Sequence, residues 1–192
     1  MQSYLQVERH KLPKDMLLES LDELLHVAEY CLEYRKSDKI LWPEPHSAGV
    51  LGMPCAILLF AIVDTIGSYF RKNSNAPLDI LVDGKQEKIG KTHKHFYILN
   101  SEYFGLSLSD AAIKEFYNKG RCRLMHNGVL GKELTLSYSN ARSYLEVNNI
   151  EGKGRYAVHL IGFYEACRQA VNIFKENIND IVPYSPEGKD FK

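Results

Sequence analysis

The chain has 192 residues, 45% hydrophobic and 25% charged, which suits one domain burying roughly 70% of its unfolded surface. Twelve Tyr, eight Phe and only seven Pro exclude a disordered or collagen-like chain. Twenty-four basic residues cancel 24 acidic ones, so bulk charge cannot hold a polyanion, and a nucleic-acid contact needs a local basic patch.

In chain order, Leu17, Leu18, Leu21, Leu24, Leu25, Ala28, Cys31 and Leu32 recur at helical spacing after Pro13, predicting an amphipathic helix over residues 14–36. The loop SDKILWPEPHSAGVLG follows, and a second helix is expected from Met53-Pro54 to Lys72. Its sequence is apolar nearly all round, which places it at the centre of the molecule. The apolar run Ala48 to Val63 is interrupted by Gly49, Gly52 and Pro54. It falls short of the about 20 residues a membrane span needs, and reads as a core helix.

Residues 73–108 form a partly β insertion in this reading, with LDILV and FYIL β-like around a polar stretch. A third helix is expected from Ser109-Asp110, an N-cap and a first-turn acid, to the stop at Asn127-Gly128. LTLSY and SYLEV flank SNAR, which predicts a short hairpin. After EGKGR a fourth helix is expected from Tyr156 to Asn179. The expected fold class is therefore mainly all-α: a four-helix bundle with short β-hairpin insertions, one domain over residues 1–192 with its core at 14–180.

The N-terminal MQSYLQVERHKLPKD lacks the apolar core of a signal peptide. Cys31, Cys55, Cys122 and Cys167 are too scattered for a CxxC clamp, which argues against a disulfide framework or structural zinc and for a reducing cytoplasm.

The stretch FYNKGRCRLMHNG, residues 116–128, concentrates Lys119, Arg121, Arg123, His126 and Asn127. Arginine offers a permanent charge and a fork of donors for phosphate oxygens, and histidine carries protons near neutral pH. Metal-free RNA cleavage needs these groups: a base for the 2′-hydroxyl, a cation for the crowded phosphorus, and an acid for the leaving oxygen. On a straight helix Arg121 and His126 lie about 140° apart, so they do not share a face. A structural reading also stands, with the arginines as solvated charges at a helix C-terminus and His126 capping the last carbonyls. On either reading these residues contribute only about 0.5–1 kcal/mol to stability.

Arg121-Cys-Arg-Leu-Met-His126 resembles the motif of the HEPN superfamily (higher eukaryotes and prokaryotes nucleotide-binding), an arginine followed after four to six residues by a histidine. The likeness extends in helix order over residues 14–180, and in motif detail only around Arg121 and His126. It implies a helical bundle that pairs as a homodimer, brings two motifs to one cleft and cuts single-stranded RNA without a metal or other cofactor. Cys122 departs from the family pattern, where a polar residue, often Asn, commonly follows the arginine.

On this resemblance Arg121 and His126 are the expected catalytic pair, with Arg123, Lys119 and Asn127 binding substrate. Asp64, costly in the apolar second helix unless paired, either orients a motif arginine or lies on an ordinary helix surface. His93 and His95 would point the same way on a strand, but two histidines are too few for zinc. Lys85, Lys88, Lys91 and Lys94 against Glu87 make a local excess of positive charge, a solvated loop or an RNA contact. Arg155 and His159 share a face as a surface pair or an extension of a phosphate cleft. The expected activity is a metal-independent endoribonuclease in the cytoplasm, with a protein partner such as an antitoxin a further possibility and no membrane association. The rivals are a non-catalytic module binding a nucleotide, an RNA or a protein, and a purely structural dimerisation module.

Overall fold

Proline has no amide hydrogen to lose at a helix start, and Pro13 opens α1 (Pro13–Glu33) with Asp15 in its first turn. The computed structural model describes residues 13–73, 75–141, 143–150 and 153–188. Leu21, Leu25, Ala28, Cys31 and Leu32 turn inward from α1 against α2 (Gly52–Phe70). By length and composition α2 is apolar enough to cross a membrane, and 56% of that apolar window is buried inside the protein. Its Phe60 stacks on Phe96 at 5.8 Å and meets the edge of Phe163 at 5.3 Å, which makes α2 the axis of the core.

The insertion folds as a hairpin followed by a 3₁₀ segment. β1 (Ile80–Val82) and β2 (Lys85–Glu87) pair antiparallel around Asp83-Gly84. Both turn residues have positive φ, 51° and 73°, as a tight primed hairpin turn requires. FYIL is not a strand: it lies in the 3₁₀ segment Thr92–Asn100, with Phe96, Tyr97, Ile98 and Leu99 all buried. A strand with one solvent face cannot bury four consecutive side chains.

The third helical region is three segments. Ser109 caps α3 (Asp110–Glu115), its Oγ accepting from the Ala112 N–H at 3.2 Å. A π-helical segment, Phe116–Cys122, follows and passes into α4 (Arg123–Asn127). Gly128 closes α4 in the left-handed conformation, φ 67°. The chain then enters β3 (Leu134–Ser137), β4 (Leu145–Ile150) and β5 (Lys153–His159), and ends in α5 (Leu160–Glu176) and α6 (Ile178–Ile181).

The expected all-α four-helix bundle does not form. Among the described residues the protein is a mixed α/β molecule with six α-helices and two small sheets. Two causes are local. The π segment divides the third helix, and RYAVH extends β5 to His159 before α5 begins. The third cause is strand pairing. β3 and β4 do not form the expected hairpin, because β5 lies between them, parallel to β3 and antiparallel to β4. The hairpin is one strand later, closing from Ile150 to Lys153. The N-terminal segment read for a signal peptide lies, up to residue 12, outside the described residues, as do Arg142 of SNAR and residues 151–152 of EGKGR.

Candidate functional site

Asp64 leaves the apolar stripe of α2 on the side facing the 3₁₀ and π segments. Its two oxygens take different partners: Oδ2 accepts from Arg121 at 2.8 Å, and Oδ1 meets His95 Nδ1 at 3.1 Å. The three side chains are only 19–24% exposed. Burial would raise the Asp64 carboxyl, but the His95 hydrogen bond and the Arg121 charge outweigh it and hold the group below its ordinary 3.8. For Arg121, burial works against the charge, and the neighbouring carboxylate more than offsets it, raising an already high value.

The π segment sets the direction of Arg121. Hydrogen bonding from i to i+5 widens the turn, and such turns recur at functional sites. The Arg121 guanidinium stacks over the Tyr117 ring at 5.6 Å. Tyr117 also meets Phe96 edge-on at 5.3 Å, tying the segment to the core. Burial first, then the adjacent Cys122, raises the Tyr117 hydroxyl above its ordinary 10.0. Gly120 is buried against Phe60, and a Cβ there would lie 2.8 Å from the ring.

Of the expected site residues, Asp64 and Arg121 are brought together, as an ion pair at 2.8 Å. Arg123, His126 and Asn127 are exposed on α4, and no hydrogen bond or ion pair joins His126 to Arg121. Lys119 turns away to Glu133 at 2.8 Å and to Glu115, with its ammonium over the Tyr156 ring at 5.3 Å. His93 and His95 do not point the same way: His93 faces Asp110 at 3.4 Å while His95 faces Asp64. Residues two apart on a three-residue turn point about 120° apart, whereas strand residues would align.

His95 is the member of the cluster that the sequence reading did not assign. The available signal was Gly67, a glycine inside an apolar helix, which usually marks close packing. A Cβ on Gly67 would fall 2.2 Å from the His95 carbonyl oxygen, so only glycine lets the 3₁₀ backbone approach α2 and deliver the imidazole to Asp64. A separate groove of about 930 Å³ lies between the end of α2 and the β1–β2 hairpin, lined by Phe70, Lys72, Leu78, Glu87 and Ile89 among others. It shares no residue with the Arg121 cluster.

Compared with protein-family models, curated proteins and solved structures, the chain finds no match in any of the three.

Proposed function

We propose that the protein is a metal-independent endoribonuclease acting on single-stranded RNA through Arg121 and His126. The observation that supports this most is the asymmetry of the motif. Asp64 holds Arg121 in one orientation, while Arg123 and His126 stay exposed on α4. A pre-oriented guanidinium stabilises charge that develops at phosphorus without reorganising during the reaction. Arg123 takes a neighbouring phosphate, and Asn127 can donate to the sugar or a base edge. Lys119, occupied by Glu115 and Glu133, contributes less. His126 exchanges the proton, and a second copy of the chain supplies the second histidine that an acid–base pair requires.

The test is incubation of the pure protein with single-stranded RNA in EDTA. Cleavage that His126→Ala abolishes supports the proposal; RNA left intact by the wild-type protein overturns it. A second reading, a non-catalytic module binding RNA, a nucleotide or a protein, is favoured by one observation: Asp64 already offsets much of the Arg121 charge. Binding of RNA without cleavage would support that reading.

A further inference from the structure

The loop after β3 and the end of β5 bring together groups that the Arg121 cluster does not use. Ser137 closes β3 opposite His159, the last residue of β5, and Ser139 lies two residues further along the chain. Glu146 on β4 pairs with Ala157, so it is the diagonal neighbour of His159 on the same face of the sheet. The side chains follow that register. Ser139 Oγ lies 2.6 Å from His159 Nδ1, and His159 Nε2 lies 3.0 Å from Glu146 Oε2.

The proton positions follow from the partners. A carboxylate only accepts, so the bond to Glu146 places the imidazole proton on Nε2. Nδ1 of the neutral ring is then an acceptor, and the Ser139 hydroxyl donates to it. Ser137 Oγ donates to Ser139 Oγ at 3.2 Å, which completes a one-directional chain from Ser137 through Ser139 and His159 to Glu146. The His159 hydrogen bond, with a further one from Asn148, keeps the Glu146 carboxyl below its ordinary 4.5, so it is ionised at neutral pH.

The chain around Ser139 is also held from both sides. Arg35 donates from one guanidinium nitrogen to the Leu32 and Glu33 carbonyls at the end of α1, and from the other to the Tyr138 hydroxyl at 3.1 Å. Across the loop, the Gly162 N–H points to the Ser139 carbonyl at 3.4 Å. A Cβ on Gly162 would fall 2.7 Å from the Ala141 carbonyl oxygen, so the loop rests directly on the first turn of α5. His159 is only 14% exposed in its side chain and Glu146 41%, so the chain of groups runs from a half-buried serine to the solvent edge.

We propose that Ser139, His159 and Glu146 are a second catalytic site, a nucleophile, base and orienting carboxylate that hydrolyse small carboxylic esters. The roles are those of a serine triad with the two ring nitrogens exchanged. Ser139 Oγ bonds to the ester carbonyl carbon as its proton passes to His159 Nδ1. The carbon–oxygen bond to the alcohol breaks, and that proton goes to the departing oxygen. Water then attacks the acyl-serine by the same route, releasing the acid and restoring Ser139, with nothing oxidised or reduced. The positive pole of α5 adjoins the site and favours the oxyanion that forms.

The experiment treats the full chain with a fluorophosphonate probe and locates the adduct by peptide mass spectrometry, beside hydrolysis of 4-nitrophenyl acetate. The expected adduct is on Ser139 of the wild-type protein, a result that needs no variant to fold. Ser139→Ala and His159→Gln are expected to lower ester hydrolysis at least about a hundredfold, and Glu146→Gln to slow both labelling and hydrolysis. Ser143→Ala, beside the loop but outside the chain of groups, should label like wild type. No adduct under conditions that label a known serine hydrolase, or an adduct confined to another residue, overturns the proposal. So does labelling of Glu146→Gln at the wild-type rate.

Discussion

Asp64 serves two cations or donors with two oxygens, so truncating any member of the Arg121–Asp64–His95 cluster strands a mostly buried polar partner. This revises the expectation of a small stability effect at Arg121. Arg121→Ala should cost about 1–3 kcal/mol, because Asp64 is left without its charge-assisted hydrogen bond. His126→Ala, at an exposed position, should stay within about 0.5 kcal/mol of wild type. Phe60→Ala, in the fully buried aromatic core, should cost about 3–5 kcal/mol. Urea unfolding of the three variants, with an RNase assay on the same preparations, separates site from scaffold. If His126→Ala is as unstable as Phe60→Ala, His126 is structural and the nuclease reading loses its main support. The pH dependence carries its own sign. The Asp64 carboxyl is depressed in the folded protein, so its contribution is fully present above its unfolded value, near 3.8, and is lost as pH falls through the lower folded value. Asp64→Asn should therefore flatten the acid limb of stability below pH 3.8, measured as unfolding free energy across that range.

At the scale of elements, two glycines decide how closely segments approach α2. Gly67 admits the His95 backbone and Gly120 admits the Phe60 ring. Gly67→Ala must displace backbone, and should cost about 3 kcal/mol, at the upper end for overpacking. Gly120→Ala meets the far edge of a side chain and not backbone, and should cost less, nearer 1 kcal/mol. Thermal melting gives the order. The imidazole resonances of His95 should move further in Gly67→Ala than in Gly120→Ala; no movement in Gly67→Ala would show that Gly67 does not position His95. The hairpin at Asp83-Gly84 closes with both residues at positive φ, whereas SNAR, expected as a turn between two strands, joins strands that β5 separates.

For the whole molecule, the zero net charge bears on how RNA is held. If Arg121 and Arg123 make the phosphate contacts, log affinity against log salt should fall with a slope of about −0.7 per phosphate on a single strand. A slope demanding eight or more contacts would move the binding surface to Lys85, Lys88, Lys91 and Lys94. The same mechanism calls for two histidines in one cleft, so sedimentation at micromolar concentration should show a dimer. A strict monomer that still cleaves RNA would remove the second copy from the mechanism.

α1, α2, the Ser109 cap and the Gly128 stop were readable from sequence, because periodicity, proline, capping oxygens and positive-φ glycine act within one or two turns of chain. The cost of an unpaired Asp64 was readable too, since an acid in an apolar helix is costly alone. What only the tertiary structure decided were choices between distant segments. These are the insertion of β5 between β3 and β4, the pairing of Asp64 with His95, and the meeting of Ser139 with His159 and Glu146. Each is settled by packing and hydrogen bonding across long sequence separations, whereas local propensity reports only what a segment prefers by itself.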